Sequence, residues 1–347
     1  MNNKKSVTIV QVAEEAGVSK QTVSRVLNDR PDVAPETRRH IEEVIERLGY
    51  RPSAVARSLI QQRSSTIGVV TAGLNFVGPS RTLNGITNKA EEMGYSVLLI
   101  ELPDFGFGDI RPALDTLITH RVDGIIWAVP EVGENHAFFQ EEHGSHNIPT
   151  IFLTMGDTPH LSTVKINNYH SAKEVTGHLI DQGCLHVAHI TGPLDWWEVQ
   201  ERKAGWEAAL SDASRKVTED MWSVGKWSSR SGETAFRELV SKYPQMDGIF
   251  VGNDQMALGV LQVAHQSGIC IPKDLAVAGF DGIPESGYYW PPLTTVIQDQ
   301  HELGCVSVQE LVGMINDYRE EKFREPNSII LDTRIIVRES SLKSTNH

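Results

Sequence analysis

Apolar residues recur with a helical period at the start of the chain. Val12, Ala13 and Ala16 form one stripe, and Val23, Val26 and Leu27 form a second. Gly17 lies between them, where a tight turn is needed. Thr8 followed by Gln11 predicts a capping box, and Ser19 predicts a cap for the second helix. Lys20, Gln21, Thr22, Ser24 and Arg25 fall on the outer face of that helix. These side-chain types read base edges or hold phosphates. A third helix follows: Pro35 suits its first turn, and Ile41, Val44, Ile45 and Leu48 give its buried face. Ala34 stands at its cap without a side-chain oxygen, at a cost of about 1 kcal/mol.

Pro52 blocks continuation, and Ser53 opens a short helical stretch to Ile60. Such a stretch is too short to be stable alone in water, so something must order it. Residues 61–66 read as a polar linker. From Ile67 the pattern changes to short apolar runs alternating with amphipathic segments. Strands are expected at 67–71, 96–101, 124–129, 150–153, 187–191, 248–252 and 276–280. Helices are expected at 81–93, 169–182, 229–242 and 255–267. Repeated strand–helix–strand units predict parallel sheets covered by helices on both faces. The fold class is thus an all-α helix-turn-helix head followed by an α/β domain of two doubly wound parallel-sheet lobes. The expected division is a head at 1–52, a hinge helix and linker at 53–66, an effector domain at 67–340 and a disordered tail at 341–347. The N-lobe takes about 67–168 and 300–327, and the C-lobe about 169–299 and 328–340.

Composition sharpens this division. The chain has 347 residues, 40% hydrophobic and 22% charged, and a net charge of −13, the profile of a globular protein with more than one domain. That charge is unevenly spread. Residues 1–63 carry 11 Lys and Arg against 8 Asp and Glu, while the remainder carries 21 against 37. A basic head on an acidic body suits local phosphate contact. No apolar run is long enough for a membrane span, and the first residues lack the apolar core of a signal peptide. Three widely spaced cysteines fit a reducing compartment. The expected location is the cytoplasm, with no membrane partner.

The α/β region offers binding chemistry and no catalytic constellation. It has neither a Walker phosphate loop nor a G-x-S-x-G elbow. Gly106-Phe107-Gly108 lacks the third glycine of a dinucleotide fingerprint. Cys184, His186 and His189 are the nearest approach to a metal set, but His186 and His189 fall on opposite faces of a strand. No metal, cofactor or enzymatic activity is expected. Trp196 and Trp197 follow the strand 187–191, and exposed tryptophans on a loop cover something. Arg202 lies a turn or so beyond. Asn253 and Asp254 follow the strand 248–252, and Asp281 follows 276–280. Aromatic plates with a planar guanidinium and a carboxylate suit a polyhydroxylated ligand.

The segments VAEEAGVSKQTVSRVLN and TRRHIEEVIERLGYRPSAVARSL resemble the lactose-repressor family of bacterial transcription factors. The resemblance continues through GPLDWWEVQERKAGW, GNDQMALG, GFDG and PPLTTVIQD, and covers nearly the whole chain. It implies a head that binds double-stranded, near-palindromic operator DNA as a homodimer. The DNA contacts it implies are Thr8, Ser19, Lys20, Gln21, Thr22, Ser24, Arg25, Asn28 and Tyr50, with Ser53, Ala56, Arg57 and Leu59 from the hinge. Leu59 matches the family's minor-groove wedge. It also implies a periplasmic-binding-protein-like effector domain crossed three times by the chain. Arg202, Asn253 and Asp281 match effector contacts, Asp254 a structural position, Trp227 an aromatic that packs on a sugar, and Phe76 and Gln298 pocket-lining positions. Thr154, Ala128 and Ala72 replace the Asp, Asn and Ser of the family's namesake, so the N-lobe offers fewer polar contacts. The helix 81–93 is expected at the dimer contact, and the tetramerising leucine heptads of some members are absent. The expected function is a repressor of carbohydrate-utilisation genes released by a sugar inducer, a galactoside or glucoside disaccharide. The alternatives are a co-repressed regulator binding a nucleobase-like ligand and, more distantly, a sugar-binding transport protein.

Overall fold

A computed structural model describes residues 7–27, 30–50, 63–106, 109–132, 148–156 and 158–343. They divide into two compact units, 1–65 and 66–347. The implied contacts Asn28, Ser53, Ala56, Arg57 and Leu59, and with them the hinge helix, lie outside the described residues.

The first unit holds α1 (Ile9–Glu15), α2 (Lys20–Leu27) and α3 (Pro35–Leu48). Thr8 and Gln11 close the capping box of α1. Ser19 Oγ accepts from the Thr22 backbone N–H at 3.1 Å. Gly17 adopts φ +64°, the left-handed conformation that the turn between α1 and α2 requires. Ala34 makes no side-chain cap bond, and Pro35 occupies the first turn of α3. Val12, Ala13, Ala16, Val23, Val26, Ile41 and Val44 form one buried cluster, with Leu27, Ile45, Leu48 and Tyr50 packed at its margin.

The second unit contains two six-stranded sheets. The N-lobe sheet comprises β1 (Thr66–Ala72), β2 (Ser96–Leu102), β3 (Gly124–Ala128), β4 (Thr150–Leu153), β5 (Ser162–Ile166) and a late strand, Ser328–Leu331. Its spatial order is late strand, β5, β4, β3, β1, β2, and every pairing is parallel. The helices α4 (Val77–Glu92), α5 (Arg111–Thr119) and the later α10 (Gln300–Arg319) belong to this lobe. The C-lobe carries α6 (Asn168–Asp181), β6 (Val187–Thr191), α7 (Trp197–Asp212), β7 (Trp222–Val224), α8 (Ser229–Lys242), β8 (Gly248–Val251), α9 (Asp254–Gln266), β9 (Ala276–Asp281) and β10 (Thr294–Ile297). The late strand of the N-lobe is therefore β11, and Arg334–Ile336 is β12, which closes the C-lobe sheet antiparallel to β10. The C-lobe order is β12-β10-β9-β8-β6-β7.

The chain thus crosses between lobes after β5, after β10 and after β11. The expected lobe boundary at 327/328 needs correction, because β11 pairs with β5 in the N-lobe and the last crossing falls between Leu331 and Arg334. The disordered tail at 341–347 needs correction too. Ser340 and Ser341 are fully buried. Ser340 Oγ donates to the Val277 carbonyl at 2.7 Å and accepts from the Thr294 N–H at 2.8 Å. Ser341 Oγ pairs with Thr294 Oγ1 and with His178 Nε2. Short hydroxyl side chains can enter a core when every polar atom finds a partner. Residues 344–347 lie outside the described set.

Helix α4 begins at Val77 rather than at residue 81. Gly78-Pro79 reads as a breaker, but a proline in the first turn loses no intrahelical bond. The short strands β5, β7, β10, β11 and β12 are additions to the expected set. In β5 the polar Lys165 interrupts the apolar run, yet it is 5% exposed.

Candidate functional site

In the first unit, Lys20, Gln21 and Arg25 are exposed on α2, and Thr22 and Ser24 are half-buried beside them. Arg25 pairs with Asp32 at 3.3 Å, with both side chains more than half exposed. An exposed pair of this kind contributes little and is easily exchanged for a phosphate or a base. Thr8 and Ser19 use their hydroxyls to cap α1 and α2. On this geometry Arg25→Ala is expected to weaken specific DNA binding by about 1–3 kcal/mol and to relax preference at one base position. Binding titrations on specific and random duplexes check it; an equal loss on both would reduce Arg25 to a phosphate anchor.

In the second unit a cleft of about 810 Å³, part of it open solvent, lies at the carboxyl ends of both sheets, the position where α/β sheets bind ligands. Phe76, Trp196, Arg202, Trp227, Asn253, Asp281 and Gln298 all line it. Trp197 does not. Adjacent residues at a helix start point in different directions. The Trp197 indole instead lies beside Gly156, and the Lys165 ammonium sits 5.3 Å from its ring centroid. Both neighbours belong to the N-lobe, so Trp197 packs across the seam between lobes.

The aromatic wall is continuous. Phe76 and Phe105 come from the N-lobe, and Trp196 and Trp227 from the C-lobe. Successive ring centroids lie 5.8, 4.7 and 5.5 Å apart. These are attractive edge and tilted geometries. The bare backbone at Gly192 makes room for Trp227, since a Cβ there would meet the indole at 2.3 Å. Phe105 was not among the expected residues; its place in the loop after a strand end is the signal that would have found it.

Beside the Trp227 end of the wall lies a polar group, with the Arg202 guanidinium 5.8 Å from the Trp227 ring centroid. Arg202 is 6% exposed. Its Nε donates to Asn168 Oδ1 at 2.8 Å and its Nη1 to the Gly252 carbonyl at 2.6 Å. Its guanidinium sits 3.8 Å from the Phe280 ring centroid. Burial lowers its pKa, opposed by Asp281, Glu198 and Asp254. Gln298 Nε2 donates to Asp281 Oδ1. Burial pushes the Asp281 carboxyl up to about 6, against the pull of Arg202. Asn253 caps α9, with Oδ1 accepting from Met256 N–H at 2.8 Å and Nδ2 donating to the Trp227 carbonyl at 3.1 Å. Its amide therefore positions Trp227 as much as it faces the cleft. Asp254 is fully buried. It accepts from Ile283 N–H and Thr295 Oγ1, a framework role. Thr154 and Ala128 line the cleft, whereas Ala72 does not.

Glu198 also lines the cleft and was not expected there. A glutamate four residues before Arg202 reads as a surface i,i+4 pair; here it is buried. Burial pushes its carboxyl up to about 7, partly offset by its own backbone N–H and by Arg202. An unfolded glutamate ionises near 4.5, so the folded state holds the proton longer. The resulting stability is complete below the unfolded value and is lost as pH rises towards 7, by up to about 3 kcal/mol. The melting temperature of ligand-free protein should fall over this window, and Glu198→Gln should flatten the fall. Parallel slopes for the two proteins would refute this.

His186 and His189 make no metal set: among the described residues no cluster of His, Cys, Asp or Glu could hold an ion. His189 is buried, and its Nδ1 lies 2.8 Å from the Phe250 carbonyl. Burial lowers its pKa to about 3. Among the described residues no helix is long and apolar enough to cross a membrane.

Comparison with known proteins agrees with both units. Residues 8–53 match the model of bacterial regulatory proteins of the lacI family, and residues 176–341 match a periplasmic binding protein-like domain. Catabolite control protein A of Priestia megaterium is 32% identical over 97% of this chain and 99% of its own length. The lactose operon repressor of Escherichia coli strain K12 is 32% identical over 89% of this chain and 85% of its own. The ribose operon repressor of the same strain is 32% identical over 89% and 93%. Among solved structures, the lac repressor dimer bound to operator and the anti-inducer ONPF superposes with a TM-score of 0.86 at 30% identity, covering 97% of this chain and all of that one. A complex of the transcriptional regulator CelR with cellobiose superposes at 0.70 and 29% identity, covering 96% of this chain and 99% of that one. These relatives are transcriptional regulators rather than enzymes. The chain belongs to the lacI family of bacterial regulatory proteins.

Proposed function

We propose that this protein is a cytoplasmic, homodimeric repressor of carbohydrate-utilisation genes, released from a near-palindromic operator by a neutral disaccharide. The observation that carries the ligand class is the aromatic wall from Phe76 to Trp227 sharing one cleft with the half-buried Asp281 and the buried Arg202 and Gln298. A saccharide offers an apolar C–H face to such a wall and vicinal hydroxyls to such a polar group. A cleft lined by four aromatic rings suits two sugar rings better than one, and β-linked glucosides and galactosides present flat faces. DNA binding rests on α2, whose exposed Lys20, Gln21 and Arg25 suit a major groove. One small head makes too little interface for tight specific binding, so two are expected on one site. Light scattering at micromolar protein should give about twice the chain mass of 38.5 kDa; a monomer or a stable tetramer would contradict the dimer.

The ligand acts by its difference in affinity between the DNA-bound and free states. The test is calorimetry with a panel of mono- and disaccharides, followed by operator release with the best binder. Binding with release supports the inducer reading. Binding that tightens the operator complex, or binding of a nucleobase in place of any sugar, replaces it with the co-repressor.

A further inference from the structure

Two buried polar atoms in the cleft residues have no hydrogen-bond partner: Glu198 Oε2 and Trp227 Nε1. Glu198 is 9% exposed and lines the cleft from the first turn of α7. Trp227 lines it from the loop before α8. A buried acceptor and a buried donor left unmade are costly, and a ligand that supplies both partners recovers that cost. We propose that Glu198 is a specificity-determining effector contact: its Oε2 accepts a hydroxyl of the effector while Trp227 Nε1 donates to another effector oxygen, and the arrangement selects a neutral polyol over its phosphorylated form. This rests on the reading of the cleft as a saccharide site.

Hydroxyls fit both atoms, because each donates and accepts. A phosphate does not. Its oxygens are acceptors and meet two carboxylates, Glu198 and Asp281, in a poorly solvated wall. Among the described lining residues Arg202 is the cation. It already serves the Asn168 amide, the Gly252 carbonyl and the Phe280 ring. Two nitrogens of its fork, Nε and Nη1, are thus tied into the framework, which leaves Nη2 for a single ligand contact and no bidentate grip on a phosphate.

Calorimetry on the full-length protein at pH 8 tests this, with cellobiose, lactose and their 6-phosphates as probes. Wild type should bind the neutral sugar at least tenfold more tightly than its phosphate. Glu198→Ala should weaken the neutral sugar tenfold or more. Glu198→Gln keeps an acceptor without the charge, so it should narrow the preference against phosphate. Trp227→Phe keeps a ring without the donor and should weaken the neutral sugar three- to tenfold. If Glu198→Ala does not fold, the near-isosteric Glu198→Gln carries the test. Wild type that binds the neutral sugars while both Glu198 variants match it on all probes overturns the assignment and leaves the saccharide reading standing. Wild type that prefers the phosphates also overturns it. Wild type that binds none of the probes, in a panel where a nucleobase binds, overturns the saccharide reading and this assignment with it.

Discussion

Arg202→Ala should destabilise the effector domain by about 3–5 kcal/mol, because it removes one member of a buried charge group and leaves the others. Asn168 Oδ1 and the Gly252 carbonyl lose their donor, and the face of Phe280 loses its cation. Asp281 loses the charge that opposes its burial. Lysine is a poor substitute, since a single ammonium cannot reproduce the planar fork that reaches two acceptors and stacks on a ring. Urea unfolding with tryptophan fluorescence is the direct measurement, and Arg202→Lys should recover under half of the loss. An alanine variant with a wild-type midpoint would show that the guanidinium is dispensable to the framework. Arg202 therefore joins scaffold to cleft, and its variants cannot report ligand contact alone.

Asp281→Asn is the cleaner probe of the ligand and the second large effect. The side chain ends β9 at φ 104°, a backbone region that asparagine tolerates better than most residues. The amide oxygen can still accept from Gln298. The carboxylate that would accept two hydroxyls is gone, and one amide N–H donor takes the place of an acceptor. Ligand binding should fall by about 2–4 kcal/mol. Operator affinity without ligand should persist, so the variant should repress and fail to release. Operator release curves at rising sugar concentration measure it. Release at the wild-type concentration would remove Asp281 from the contact set.

The head was legible almost residue by residue. Its information is local: a 3.6-residue period, two side-chain caps and one glycine in a left-handed turn. The doubly wound lobes were legible through their short apolar strands alternating with helices, and the strand-end rule led to Asn253, Asp281 and, through the loop after β6, Arg202. The misses share one cause, which is tertiary context. Lys165 and the paired Ser340 and Ser341 look like surface residues until their buried partners are known. β11 has the same composition whichever lobe it joins, and only its pairing with β5 settles the matter. Glu198 reads as half of an exposed helical pair, and Phe105 as an anonymous loop aromatic. Trp196 and Trp197 read as a matched pair although the helix start sends them to different neighbours.

That divergence has a bearing on how such a regulator could be re-targeted. Residues 196–198 serve two places at once: Trp196 and Glu198 line the cleft, while the intervening Trp197 packs on Gly156 and Lys165 of the other lobe. A change that remodels this stretch for a new inducer also disturbs the seam through which the lobes communicate. Drift towards a different sugar is then easier through Phe76, whose ring lines the same cleft and packs on Phe105 of its own lobe. An engineer seeking a new biosensor would randomise that position first and leave the tryptophan pair intact.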